Sequence, residues 1–435
     1  MNRSDFLKTT ALAGASLLTT TVSATPFIYH RPAKPYRLAL IGSGWWGGNI
    51  LQCAMKAGGS TVVALCDVDT RALQKTADFI GKLSSDRPKR YIDFRELLAT
   101  EKPDIVIIAT PDHWHPLIAI AAMKVGAHVY VEKPIGHTIN EGKAMVRVAR
   151  ETGCVCQVGT HRRVSPHNMS GMEFLKSGKA GKIGMVRSFV HYGGGAGQRV
   201  AETAPPAELN WDMYCGPAPL VAYNSTIHPR GFRQYLDFAN GQISDWGIHW
   251  LDQILWWTDE KHPRKVYSTG GRAIRQDNTD TPDHQIATFE FESFTATWEH
   301  RMFAGNNAEK TRPDQAVGCY FYGTEGTFHQ GWLDGWTFYP TDSKKPIIHQ
   351  DAKLDKPDDQ NIAGLWTDFL DAIAKDRLPV CDIEQGHRST NMALLGMLSM
   401  KLGRSVAWNG ADIPNDPEAN KLLSRAYRGA WEYPA

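Results

Sequence analysis

The chain has 435 residues, with 48 Lys and Arg against 46 Asp and Glu, a formal net charge of +2. So balanced a chain has no electrostatic reason to seek nucleic acid or an anionic membrane surface. Its 42% hydrophobic and 22% charged residues are those of an ordinary folded protein,. Seven cysteines, an odd and small number, exclude a disulfide scaffold,.

Residues 1–24 read as an export signal. Arg3, Asp5 and Lys8 come first, a weakly apolar stretch follows from Thr9 to Leu18, and Val22-Ser23-Ala24 offers small residues to a signal peptidase,. The start, Asn2-Arg3-Ser4-Asp5-Phe6-Leu7-Lys8, resembles a bacterial twin-arginine signal with Ser4 in place of the second arginine. The expected location is therefore periplasmic or otherwise exported, and cytoplasmic if the signal is not used. No stretch of 18 uninterrupted apolar residues is present, so no membrane span is expected,. Residues 25–35, with Pro32 and Pro35, read as a linker.

The first domain is expected over residues 36–158. Tyr36–Ile41 is an apolar run suited to a buried parallel strand,. It leads into Gly42-Ser43-Gly44-Trp45-Trp46-Gly47, with a helix expected from about Asn49. Thr61–Cys66 is a second buried strand closed by Asp67. In such a turn Gly42 permits the tight bend, Gly44 admits a pyrophosphate close to the backbone, and Gly47 permits close helix packing. The helix N-terminus offers free N–H groups to phosphates. Asp67 lies 25 residues after Gly42, where an acid binds adenosine ribose hydroxyls,. It would also repel a 2′-phosphate, which favours NAD over NADP; Arg71 nearby works against that preference. Helices at 95–100, 116–125 and ending at Arg150 alternate with strands at 104–109, 127–131 and 155–158. That alternation predicts a doubly wound parallel sheet, a Rossmann α/β domain. Its ligands lie beyond the carboxyl ends of the strands, which puts Thr110-Pro111 with His115, and Glu132-Lys133-Pro134, on one crevice.

These motifs, with Gly241-Gln242-Ile243-Ser244-Asp245-Trp246-Gly247-Ile248-His249-Trp250-Leu251-Asp252, resemble those of the Gfo/Idh/MocA oxidoreductase family over nearly all of residues 36–430. The resemblance implies that residues 159–435 form a substrate-binding α+β domain on a large open, mostly antiparallel sheet, often used for homo-oligomerisation. It implies a tightly held cofactor, contacted by Trp45, Trp46 and the crevice residues above, and sugars or polyols as substrates. It also implies catalysis by Lys133, Asp245 and His249. The end of the chain, with Pro417-Glu418-Ala419-Asn420 and Tyr427-Arg428, resembles an exported bacterial branch with a C-terminal extension.

Chemistry supports these roles independently. Asp245 and His249 are four apart and share a face on a helix, which Asp252 extends. Gly247 in a helix interior suggests close approach by a ligand or backbone. An imidazole with an ordinary pKa of about 6.5 suits removal of a hydroxyl proton, and the lysine can stabilise alkoxide character at the same oxygen. No metal is expected, because NAD and the lysine supply the charge chemistry. His161 and Arg162, after the Gln157-Val158 strand, resemble the family's arginine-bearing stretch near nicotinamide and substrate. In the irregular segment 193–235, Trp211, Arg230, Arg233 and Tyr235 are candidates to bind hydroxyls and stack on a sugar; the alternative is an ordered surface loop packed by its own aromatics.

Three functions compete. The first is NAD-dependent oxidation or reduction of a sugar or polyol hydroxyl, with a resident cofactor. The second is an NAD-dependent glycoside hydrolase using transient oxidation and elimination. The third is a non-catalytic NAD or sugar sensor, against which the intact Lys133, Asp245 and His249 argue.

Overall fold

A computed structural model of the protein describes residues 34–305 and 316–434. The export signal and the linker up to residue 33 lie outside the described residues.

The first sheet contains β1 (Tyr36–Ile41), β2 (Ser60–Cys66), β3 (Lys89–Tyr91), β4 (Ile105–Ile108), β5 (His128–Val131) and β6 (Cys156–Val158), in the order β3-β2-β1-β4-β5-β6 and parallel throughout. Helices α1 (Trp45–Ala57), α2 (Thr70–Leu83), α3 (Phe94–Glu101), α4 (His115–Lys124) and α5 (Ile139–Thr152) connect the strands. Both sheet faces are buried, and the period of two is visible in β1. Leu38 and Leu40 join one core layer with Ile50 and Leu51, while Ala39 and Ile41 join the other with Leu97 and Ile118,.

Two details differ from the sequence expectation. Helix α1 starts at Trp45, four residues before Asn49, because the glycine turn passes straight into the helix. Strand β3 was not anticipated: Lys89-Arg90-Tyr91 carries no apolar pattern, and it sits at the sheet edge, where charges block further pairing,.

After β6 come a 3₁₀ turn (His161–Val164), α6 (Pro166–Lys176) and β7 (Ile183–His191). The segment 193–238 then holds only α7 (Trp211–Cys215) and a 3₁₀ turn at Gly231–Gln234. A π-helical turn (Ile243–Gly247) leads into α8 (Ile248–Trp257). The strands β8 (Lys265–Gly271), β9 (His284–Glu290), β10 (Thr295–Arg301), β11 (Val317–Gly323), β12 (Gly326–Gly331), β13 (Trp336–Pro340) and β14 (Ile348–Gln350) follow. Then come α9 (Pro357–Ala374), α10 (Ile383–Leu402), β15 (Val406–Ala407) and α11 (Pro417–Lys421). The second sheet has nine strands in the order β14-β13-β12-β11-β7-β10-β9-β8-β15, and only β7 and β10 run parallel. One face buries Phe289, Trp298 and Phe321 under α8 and α10. The other exposes Met185, Tyr267, Ile286 and Tyr339. Helix α9, late in the chain, returns to the first sheet and inserts Ile362, Trp366 and Phe369 into its core beside Leu38.

Gly247 admits protein rather than ligand. A Cβ there would lie 3.3 Å from the Trp298 indole, so the glycine lets the π turn press onto β10. Asp252 likewise faces away from the crevice. It accepts from Arg163 Nε at 2.8 Å and Nη2 at 2.9 Å, and from Ser389 Oγ at 2.6 Å, with both charged side chains buried. This pair ties the 3₁₀ turn after β6 to α8, and Asp252→Ala leaves Arg163 charged and uncompensated. The substitution should cost about 3–5 kcal/mol of stability in urea unfolding; a loss below about 1 kcal/mol would show that the pair is solvated.

Candidate active site

A cleft of about 700 Å³ runs along the carboxyl ends of the first sheet and under α8, within the size range of small-molecule sites,. Its floor is the glycine turn. Gly42 has φ +95°, and a Cβ on it would lie 2.5 Å from the Ala109 carbonyl carbon. A Cβ on Gly47 would lie 2.0 Å from Gly42 O, so Gly47 sits behind the turn and packs α1 against it, off the cleft wall. In front of Gly44 there is open space. No side chain caps α1, which leaves its first N–H groups free for an anion,. Trp45 and Trp46 flank the opening.

Asp67, on the same wall, is engaged by the protein's own backbone. Its Oδ2 accepts from Ser43 N at 2.7 Å and its Oδ1 from Asp69 N at 2.9 Å, which fixes the glycine turn against β2. Burial pushes its carboxyl up to about 6. Asp69, which the sequence reading passed over, holds Arg71 through Nε at 2.9 Å and Nη2 at 2.7 Å. Arg71 is thereby paired and off the cleft, which removes the argument that it offsets the acid's preference for NAD.

Thr110, Pro111 and His115 line the next section. The buried His115 ring lies between two carbonyls, with Nδ1 2.7 Å from Pro134 O and Nε2 2.9 Å from Thr110 O. Burial lowers its pKa to about 4, so the neutral ring donates to one of them while bracing both loops. Asp112, beside it, is buried and pushed up to about 7. Glu132 is buried, accepts from Lys133 N at 3.1 Å, and is raised by burial.

Lys133 reaches from the end of β5 to the second domain. Its Nζ donates to Asp245 O at 2.8 Å and to Asp245 Oδ1 at 2.9 Å. Arg233 Nε donates to the same Oδ1 at 3.2 Å. Burial alone would raise the Asp245 carboxyl, but the two cations outweigh it and hold it below the ordinary range. Asp245 lies in the π turn and His249 in the first turn of α8, so the expected shared face is set by a π turn, a feature frequent at functional sites,. Among the described residues, His249 Nδ1 is buried without a hydrogen-bond partner. Burial, reinforced by Lys133, His161 and Arg162, drives the imidazole pKa well below 6.5.

The remaining candidates divide. His161 lines the cleft, its ring 5.4 Å from that of His249. Arg230 and Arg233 line it as well. Arg162 does not: it lies behind Trp332, its guanidinium carbon 3.3 Å from the indole centroid, and donates to Trp332 O at 3.1 Å and Asp358 Oδ1 at 3.3 Å. Trp211 and Tyr235 are also off the cleft. Trp211 stacks on Tyr214 at 4.8 Å and donates to Val221 O, while Tyr235 bonds Asn224 and Thr226. The packed-loop alternative therefore holds for both.

The wall also holds residues that the sequence did not single out, among them Trp246, Trp332 and Asp358. Trp246 was inside a recognised motif. Trp332 sits in the turn between β12 and β13, and Asp358 in the first turn of α9. An aromatic beside a Gly-containing turn and an acid at a Pro-initiated helix start were the available signals; only long-range folding brings them to the cleft. Among the described residues, no group of three His, Cys, Asp or Glu side chains is placed to hold a metal.

The cleft fits a dinucleotide. Gly44 leaves room, α1 offers unpaired N–H groups, and among the described residues buried polar atoms without hydrogen-bond partners lie along the walls: Ser43 Oγ, Thr110 Oγ1 and His249 Nδ1. Fold and cleft thus define a two-domain, NAD-binding Rossmann protein. Residues 36–160 match the oxidoreductase family profile for an NAD-binding Rossmann fold, and residues 180–433 match that family's C-terminal alpha/beta domain. The chain belongs to the Gfo/Idh/MocA oxidoreductase family.

Among relatives, the chain is 27% identical over 202 residues to a glycosyl hydrolase family 109 protein of Shewanella pealeana, covering 42% of this chain and 44% of that one. It is 33% identical over 165 residues to one of Solibacter usitatus, covering 36% and 38%. The match thus spans less than half the length of either relative. Among solved structures, levoglucosan dehydrogenase in complex with NADH and levoglucosan aligns with a TM-score of 0.67 and 17% identity, covering 86% of this chain and 99% of that one. The WlbA dehydrogenase from Bordetella pertussis in complex with NADH and UDP-GlcNAcA aligns with a TM-score of 0.64 and 18% identity, over 86% and 99%. At these identities the likeness establishes the fold.

Because burial disfavours the charged ring, His249 should stay neutral at pH 6.5 and above and take up a proton only below its ordinary pKa of 6.5,. NMR titration of its ring Cε1–H checks this; a midpoint at or above 6.5 would contradict it.

Proposed function

We propose that this protein oxidises or reduces a hydroxyl carbon of a sugar or polyol with NAD kept in place between turnovers. The observation that carries the reading is the Lys133–Asp245 contact on the same cleft as His249 and the glycine turn. When bound, NAD supplies the hydride acceptor or donor. The chain's own groups do the rest. Lys133, oriented by Asp245 and Arg233, donates to the substrate oxygen and stabilises its developing charge. Neutral His249 takes the hydroxyl proton, or returns it in the reverse direction. The Trp332 indole, backed by Arg162, offers an apolar face to the C–H side of a sugar ring,. The sugar ligands named for the two structural neighbours support this substrate class.

The relatives named glycosyl hydrolase family 109 favour a second reading on the same site. On that reading a hydroxyl carbon two positions from the glycosidic carbon would give its hydride to NAD; the ketone acidifies the C–H between them, loss of that proton expels the aglycone, water adds at the glycosidic carbon, and return of the hydride restores the free sugar. The product decides: a keto-sugar with reduced NAD supports oxidoreduction, and a free sugar with no net redox change supports hydrolysis. Export by the N-terminal signal fits a resident cofactor, since free NAD is scarce outside the cytoplasm. The exposed face of the large sheet, with Met185, Tyr267, Ile286 and Tyr339, is the surface we assign to self-association,.

His249→Asn should lower turnover by about 10²–10⁴-fold while leaving the nucleotide bound. The check is a mono- and disaccharide screen at the reduced-nicotinamide absorbance band, with nucleotide assayed after denaturation. Unchanged turnover would remove His249 from the chemistry, and a chain purified without nucleotide would refute the resident cofactor.

A further inference from the structure

The irregular segment after β7 crosses the cleft. On one side it is bonded to the chain following β2: Thr70 N donates to Glu208 O at 3.0 Å, Asn210 N donates to Val68 O at 2.9 Å, and His228 Nε2 lies 3.2 Å from Asp69 Oδ2. On the other side it is bonded to the turn following β4: Trp114 Nε1 donates to Tyr214 O at 3.0 Å, and His113 Nε2 lies 3.0 Å from the same oxygen. Gly216 presses so closely on the Trp114 ring that a Cβ would lie 2.0 Å from it. In the sheet, β1 lies between β2 and β4. A segment tied down beyond both neighbours therefore passes over the end of β1, where the glycine turn and the free end of α1 lie.

Arg230 is the charge this segment delivers there. Its guanidinium carbon is 4.8 Å from the centroid of the Trp45 ring, on the first residue of α1. Among the described residues it has no carboxylate partner, unlike Arg233 on Asp245. A planar cation opposite a helix N-terminus is matched to a diphosphate held between them.

The far side of the segment is fastened by the C-terminus. Arg428 Nε donates to Gly216 O and Ala218 O, each at 3.1 Å, its Nη1 to Asp212 Oδ1 at 2.8 Å, and its backbone N to Pro217 O at 3.0 Å. Arg428 is not on the cleft wall.

We propose that residues 208–233 form a strap closed over the diphosphate of bound NAD, with Arg230 as its phosphate-facing cation and Arg428 as the positioning residue that holds it shut. The proposal moves Arg230 from sugar binding to coenzyme retention. It deepens the resident-coenzyme reading and rests on it.

The test uses the full chain loaded with NADH. Release is chased with excess NAD and followed by loss of energy transfer from tryptophan to the reduced nicotinamide. Loss of one charge-assisted contact corresponds to about a tenfold change, so Arg230→Gln should release NADH about tenfold faster. Its release should also depend less on salt than that of the unaltered chain, because the removed contact is ionic. Arg428→Ala should speed both entry and release, since it opens the strap without removing a phosphate contact; a merely destabilised fold would slow entry. Arg428→Lys, which keeps the charge, should restore part of the retention. Arg404→Ala, which removes pairs with Asp416 and Glu418 away from the strap, serves as the control. Arg230 is exposed and touches little, so its variant tests the idea even if Arg428→Ala fails to fold. Release within about twofold of the unaltered chain for Arg230→Gln, or an unchanged salt dependence, overturns the strap. A chain purified empty overturns the resident coenzyme alone, because added NADH still allows release to be measured.

Discussion

The Lys133 ammonium leaves the end of a strand in the first domain and donates to two oxygens of one residue in the second, the Asp245 carbonyl and carboxylate. Both side chains are mostly shielded from water, so the contact is stronger than a surface pair, and either charge left alone would be costly,. It fixes how the two sheets face each other at the point where chemistry is expected. The π turn before α8 makes the contact possible, because it offers a carbonyl and a carboxylate from the same residue toward one cation. Arg233 adds a second cation from the strap, so floor, roof and second domain meet on a single carboxylate.

Burial around that carboxylate sorts the neighbouring groups by charge state. Asp245 stays ionised because two cations outweigh its desolvation. Asp112 and Asp67 are pushed up to about 7 and about 6 by burial. Burial, reinforced by Lys133, His161 and Arg162, pushes His249 toward its neutral form. A site with one fixed ammonium and one neutral imidazole can stabilise negative charge on an oxygen and also accept that oxygen's proton. That division of labour follows from where each group is buried rather than from residue type.

Several residues read as site residues hold its framework together. His115 braces the Thr110 and Pro134 loops, Arg162 supports Trp332, and Asp67 ties the glycine turn to β2. Trp211 and Tyr235 pack in the small core of the irregular segment. Each has the composition of a ligand-binding residue, and its direction is set by neighbours distant in the chain.

The Rossmann half was legible because its signals are local. Buried parallel strands are apolar runs, the turn needs glycine at Gly42 for a positive φ, and the motifs end strands that share one edge. That Lys133, Asp245 and His249 share one cleft was legible through motif resemblance and residue chemistry. Tertiary structure alone decided the rest. It brought Trp332 and Asp358 from more than eighty residues beyond His249 onto the same wall, and it turned Asp252 and Arg162 inward. It also laid the irregular segment across the coenzyme cleft. Side-chain direction at such positions follows from packing between elements far apart in the chain, and periodicity within one element carries no record of it.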